Sequence, residues 1–162
     1  MSELSGRSGE YLCFYLGREL YAVNVSRVEV VLEMQSVTRV PRAAPHMRGV
    51  INHRGSVVPV VDLRMRFGMG LSELSEGTNI IILQLDYDGE LLTVGMLADG
   101  VREVINLDPG DTEKPPRLGS RLDEAVIEGI AKRGDEFIIL LDIDEVFRAE
   151  LPGTVSQTAS VR

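Results

Sequence analysis

Residues 48–66 read RGVINHRGSVVPVVDLRMR. Two runs suited to strands, 47–53 and 56–61, flank Arg54-Gly55. β-Branched residues favour extended backbone, and Gly55 accepts the positive φ that a tight turn demands. The stretch is therefore expected to form a β-hairpin. Pro59 cannot donate a ladder hydrogen bond, so its strand is expected at a sheet edge, or with its N–H side unpaired there. An edge beside valines, a glycine and a turn arginine suits the docking of another chain. The alternative is an ordinary edge hairpin held by its valines.

Working outward, charge sets this segment apart. The chain of 162 residues has a formal net charge of -8. Between 39 and 66 stand six arginines (39, 42, 48, 54, 64, 66) against Asp62 alone, a net of +5. The remainder therefore carries 11 basic and 24 acidic residues, a net of -13. An acidic chain is repelled by nucleic acid and by anionic membranes. A local patch built only of arginine fits a protein partner with acidic groups, or else reflects the ordinary use of arginine on surfaces. Nucleic-acid binding by a small barrel also wants aromatics among the basic residues, and 39–66 contains none.

The rest of the composition narrows the class. Apolar residues make up 44% of the chain and aromatics only 5%, with no Trp. That apolar mass of Val, Ile and Leu suits strands more than aromatic-lined ligand pockets. No apolar run approaches the roughly 18–20 residues needed to cross a bilayer, and MSELSGRSGE has no apolar signal-like core. The single Cys13 excludes an internal disulfide and fits a reducing compartment, so a cytoplasmic location without membrane insertion is expected.

Strand-like runs recur at 11–16, 19–25, 79–85, 91–97, 101–106, 126–132 and 136–142, many separated by Gly turns, as in barrels or sandwiches. Short helices are expected at 62–67 and 142–150, and a further one after Ser26 as N-cap. Loops 68–78 and 107–120 read as solvated, residues 1–9 as a flexible N-terminus, and 151–162 as a disordered tail. A weak echo runs through Gly17, Gly89 and Gly134. Each is followed by an apolar strand and then by Glu-Val-apolar at Glu29, Glu103 and Glu145.

Few residues offer catalysis. His46 and His53 are the only histidines and Cys13 is remote from them in sequence, short of a zinc ligand set. Asp142 and Asp144 fall at a strand-to-helix boundary, where capping is the simpler role; a hydrolase or phosphotransfer site would have to use them with Asp62 or His53. Gly68-x-Gly70 lacks a dinucleotide fingerprint. No cofactor or metal is expected, and the chain reads as a poor enzyme. A module binding a small ligand between barrels is the other alternative.

RGVINHRGSVVPVVDLR is similar to the GVxNLRGxxxPVIDLR signature of the CheW family, the chemotaxis coupling proteins. LCFYLGRELYAVNVSRVEVV resembles that family's opening strands, VGMLADGVREVINL its GxxVDxVxEV segment, and GIAKRGDEFIILLDIDEVF its closing hairpin and helix. Together these cover about residues 10–150 in order.

The resemblance implies a mainly β fold of two small five-stranded barrels of the Src-homology-3 type, sharing one apolar core. It implies no catalysis. It implies two partners: the cytoplasmic tip of a chemoreceptor and the regulatory domain of a CheA-type histidine kinase, in a flagellar or other chemosensory array. Receptor contact is expected near Val28, Gly49 and Arg54, with Gly55, Val57, Pro59 and Asp62 completing the partner-binding motif. The family usually has Glu at the place of Val30, where that acid pairs with the motif arginine. On a regular strand Glu29 would face the opposite side. Glu33 is the substitute partner if the segment is helical.

Overall fold

The computed structural model describes residues 9–115 and 125–150. The expected flexible start (apart from Gly9), the tail 151–162 and part of the loop 107–120 lie outside them. Eleven strands are described: β1 (Glu10–Leu16), β2 (Glu19–Asn24), β3 (Val28–Glu33), β4 (Met47–His53), β5 (Ser56–Val61), β6 (Asn79–Tyr87), β7 (Glu90–Ala98), β8 (Gly100–Asn106), β9 (Thr112–Glu113), β10 (Ile127–Arg133) and β11 (Glu136–Leu141).

The burial of the strands dictates how they assemble. In β6, Ile80, Ile81, Ile82, Leu83 and Leu85 are all buried. Because successive side chains alternate, Ile80 and Ile82 enter one apolar cluster while Ile81, Leu83 and Leu85 enter another. β1 divides in the same way, with Tyr11 and Cys13 on one side and Leu12, Phe14 and Leu16 on the other. Strands buried on both faces require three cores. One core fills each barrel, and a third, to which Phe14, Leu83, Met96 and Phe147 belong, is shared between the two barrels.

The fold is mainly β, with two small barrels of the Src-homology-3 type. One sheet has the order β3-β6-β7-β5-β4. The other has six strands, β8-β1-β2-β11-β10-β9, because the two-residue β9 adds beside β10; five had been expected. Short helices occupy Leu63–Arg66 and Ile143–Glu150, close to the expected bounds.

Three expectations are corrected. No helix follows Ser26: the only helical piece there is one 3-10 turn, Val25–Arg27, capped by Asn24, whose Oδ1 accepts the Ser26 N–H at 2.9 Å. Valine-rich 28–33 instead pairs with β6, where its side chains pack against two cores. The loop 68–78 is not simply solvated, since Ser72 and Thr78 are buried. The loop after 106 likewise buries Leu107.

The third correction concerns the echo. The Gly17 and Gly89 hairpins, β1–β2 and β6–β7, do occupy equivalent places, each pairing with the strand that follows the other: β1 with β8, and β6 with β3. Gly134 belongs to a different unit. Residues 48–67 and 128–147 correspond without a gap: Gly49 to Gly129, Val57 to Phe137, Asp62 to Asp142, Phe67 to Phe147. Both hairpins carry a register shift at the first glycine. Both aspartates donate their N–H back to the strand start, Asp62 to the His46 carbonyl at 2.7 Å and Asp142 to that of Val126 at 2.8 Å.

Candidate functional site

The hairpin β4–β5 turns at Arg54 (φ 55) and Gly55 (φ 84). Two consecutive left-handed residues make a primed turn whose twist matches that of the strands. The Asn52 Oδ1 accepts the Gly55 N–H at 2.9 Å, fixing the loop. The Arg54 side chain is 73% exposed at its tip. Val57, two residues beyond Gly55, is 75% exposed, an unusual state for a valine in a strand whose Val58, Val60 and Val61 are buried.

Glu29 is the partner of Arg54. Its Oε2 accepts from Arg54 Nη1 at 3.3 Å and lies 3.1 Å from His53 Nε2, while Oε1 accepts from Gln84 Nε2 at 2.6 Å. The hydrogen bond from His53, then that from Gln84, holds the Glu29 carboxyl below its ordinary range, so it is a carboxylate at neutral pH. The expectation that Glu29 would face away, with Glu33 as substitute, is thus corrected. β3 has a bulge: Val28 pairs with Leu83 and Val30 with Ile82, leaving Glu29 as the extra residue. The faces confirm it. Val28 and Val31 pack on the shared core, and Val30 and Leu32 on the interior of the barrel. Glu33, in a strand and not a helix, stands opposite Asn79 at the far end.

The other motif residues are structural in geometry. Asp62 is fully buried and accepts four hydrogen bonds, from Arg48 Nη1 (2.8 Å), Ser72 N (2.9 Å), Ser72 Oγ (2.8 Å) and the Arg64 N–H (3.1 Å). It caps the helix Leu63–Arg66 and ties the hairpin to the loop that follows. Gly49 is buried, with φ 148, and a Cβ there would lie 2.2 Å from the Thr38 carbonyl oxygen. The closeness allows Thr38 and Val50 to exchange both backbone hydrogen bonds, at 2.9 and 2.8 Å. Those bonds consume both polar groups of Val50. Pro59, opposite Val50, therefore directs its missing N–H away from β4. β5 is not an edge: it lies between β4 and β7, but pairs with β7 only at Val60 and Val61, just after the proline.

The arginine patch dissolves into several roles. Arg48 neutralises Asp62, Arg64 pairs with Asp99 at 3.4 Å, and Arg66 stacks over Phe67 at 5.7 Å. Arg54 alone couples a partner at the turn with a largely exposed side chain. Val28, half-buried, begins β3 immediately after the 3-10 turn and beside Glu29. Thus Arg54, Gly55 and Val57 meet on one hairpin tip, with β3 reaching it through Glu29, while Gly49, Pro59 and Asp62 shape the hairpin from within. Glu29, Gln84 and Ser72 were not foreseen as parts of this site, and only the acid beside Val30 gave any signal.

The candidate catalytic groups are engaged otherwise. Asp142 Oδ1 accepts the Glu145 N–H at 3.2 Å, capping the helix, and Asp144 pairs with Arg27 and accepts the Asp86 N–H at 3.1 Å. Burial lifts the Cys13 thiol to about 11, which makes it unreactive near neutrality. Among the described residues no three His, Cys, Asp or Glu side chains gather to hold a metal, and no helix is long and apolar enough to cross a membrane.

Known proteins place this geometry in a family. Residues 10–151 match the CheW-like domain. The chemotaxis protein CheW of Klebsiella aerogenes is 30% identical over 98% of this chain and 95% of its own length. That of Bacillus subtilis is 32% identical over 89% and 90%. The crystal structure of the scaffolding protein TtCheW from Thermoanaerobacter tengcongensis superposes with a TM-score of 0.75 at 35% identity, covering 86% of this chain and 87% of that one. With its twin barrels, shared core and Arg-Gly hairpin, this chain belongs to the CheW-like domain family.

Proposed function

We propose that the protein is a non-enzymatic adaptor of chemosensory signalling, acting in the cytoplasm through residues 10–150, that couples the signalling tip of a chemoreceptor to the regulatory domain of a CheA-type histidine kinase. Family membership supports the coupling role. The observation that carries it is Arg54. A non-glycine residue is held in a left-handed turn, its side chain 73% exposed and steered by Glu29, next to an exposed valine. Such a preorganised, solvent-facing arginine with an apolar neighbour has the chemistry of an interface anchor.

Coupling then needs no reaction. One rigid body that binds two partners at once raises the effective concentration of each for the other. If the kinase's active and inactive states contact the adaptor differently, occupancy biases that equilibrium. The arrangement serves a flagellar array or one with another output equally well.

The reading is tested by titrating the full chain calorimetrically with a receptor-tip fragment and, separately, with a kinase regulatory domain from the same organism. Binding of both, and loss of at least about 2 kcal/mol for one of them in Arg54→Ala, is expected. Absence of binding to either partner would refute it.

A further inference from the structure

Beyond the Arg54 tip, the connection 34–46 between β3 and β4 forms one wall of a second feature, an open groove of about 640 Å³ whose other wall carries Leu71 and Leu74. Of the seven large hydrophobic residues exposed among the described residues, three (Val40, Leu71, Leu74) line it. Apolar side chains concentrated on two facing loops, where polar residues are the norm, mark a binding surface rather than scattered exposure.

The charged residues that line the groove are all arginines: Arg39, Arg42 and Arg48. Arg48 is consumed by Asp62 and by the Ser72 carbonyl at 3.1 Å. Arg39 and Arg42 are exposed and make no ion pair or hydrogen bond with any described residue, in a chain of net charge -8. Arg42 has φ 64 as the third residue of a tight turn, Val40–Ala43, with Pro41 before it and the Ala43 N–H closing on the Val40 carbonyl, so the turn presents its side chain at the groove.

Both walls are fixed in place. Thr38 is bridged to Val50, and the Val40 and Ala44 carbonyls accept the Ala43 and Met47 N–H groups at 3.3 and 2.9 Å. On the other side Ser72, between the two leucines, is pinned by Asp62 and Arg48. A preformed apolar groove rimmed by uncompensated guanidinium groups selects apolar side chains interspersed with carboxylates.

We propose that this groove docks a short acidic-apolar segment of a partner protein, its apolar side chains against Val40, Leu71 and Leu74 and its carboxylates on Arg39 and Arg42. The groove neighbours the candidate site along the chain: Val37 lines the groove, while Gln35, Ser36 and Thr38 line a separate hollow with Asn52, Gly55 and Val57. A partner held at Arg54 has this second foothold within reach. The proposal does not depend on the identity of the Arg54 partner.

The test is fluorescence anisotropy of the full chain with a fluorescein-labelled peptide alternating leucine with aspartate, against a matched peptide with lysine for aspartate. The aspartate peptide is expected to bind, to weaken with salt, and to lose at least about tenfold in affinity in the double variant Arg39→Glu, Arg42→Glu. Leu74→Ser should weaken it too, whereas Arg54→Glu should not, so failure here is distinguishable from failure of the coupling reading. Equal binding of both peptides, or indifference to the arginine reversal, would overturn the proposal. So would arginine-dependent binding to phosphatidylserine vesicles or arginine-dependent self-association in sedimentation, either of which assigns the groove to a membrane or a second copy.

Discussion

Replacing Arg54 with Asn separates the conformational role of the hairpin turn from its chemistry. Arg54 sits at φ 55, where a residue with a Cβ is strained by roughly 1–2 kcal/mol, and asparagine visits this region far more readily. Asn-Gly is also the pair most favoured at the centre of such a turn. The interaction lost is the 3.3 Å contact with Glu29, made by a side chain that is 73% exposed and so well screened. Glu29 keeps Gln84 and His53. The fold should therefore be unchanged, or more stable by up to about 1 kcal/mol. Binding moves the other way. Removal of an anchoring arginine is expected to raise the Kd about 30-fold, equivalent to about 2 kcal/mol. Urea unfolding gives the first quantity, and calorimetric titration with the kinase regulatory domain and the receptor-tip fragment the second. A variant destabilised by more than about 1 kcal/mol, or one whose affinity for both partners stays within about threefold, would refute the reasoning.

Three further outcomes are expected. Asp62→Ala, by stripping a buried acceptor from Arg48 and Ser72, should lose about 3 kcal/mol or more in urea unfolding. Gly49→Ala places a methyl 2.2 Å from the Thr38 carbonyl oxygen and 2.8 Å from Val37 Cγ1, so it should cost about 2 kcal/mol, seen as a fall of roughly 4–8 °C in Tm. Glu128 is raised above its ordinary 4.5 by burial and then by Asp142, so the folded state binds its proton more tightly than the unfolded one. Its contribution to stability is present below 4.5 and is lost as pH rises through the folded pKa. Glu128→Gln should accordingly gain stability relative to the parent as urea unfolding is repeated from pH 4 to pH 8, the gain levelling off above that pKa.

The arrangement of strands was legible because the Gly turns and β-branched runs signal it locally: Arg54-Gly55, Asp88-Gly89 and Gly134 turn where the composition says they should. What misled was chemistry decided at a distance. Ser26 looks like a helix cap, but 28–33 is taken into the sheet by β6, whose isoleucines offer two faces to cover. Ser72 sits in a polar, glycine-rich segment, and only the buried carboxylate of Asp62, ten residues upstream, draws it inside. Pro59 calls for an edge strand or an unpaired N–H side, and the second of these holds. The structure satisfies the same constraint within the sheet, by ending the β7 pairing where the proline lacks its donor.

The partner of Arg54 was the least legible feature. Strand alternation assigns Glu29 to the wrong face, and no local signal announces the bulge at residues 28–30 that reverses the assignment. The gapless correspondence of 48–67 with 128–147 was equally hidden, because the paired positions carry different chemistry. Arg48 neutralises Asp62, whereas Glu128 at the matching place confronts Asp142. The same hairpin and capped helix are thus built twice, with a charge pair in one copy and a like-charge pair in the other.

The central claim is simultaneous engagement, and bridging tests it most directly. Receptor-tip fragments are immobilised, the kinase regulatory domain is passed over them, and its retention is measured with and without this protein. The account predicts retention only when the protein is present, and a marked loss of it with Arg54→Asn. Retention that does not require the protein, or competition in which one partner displaces the other, would contradict it.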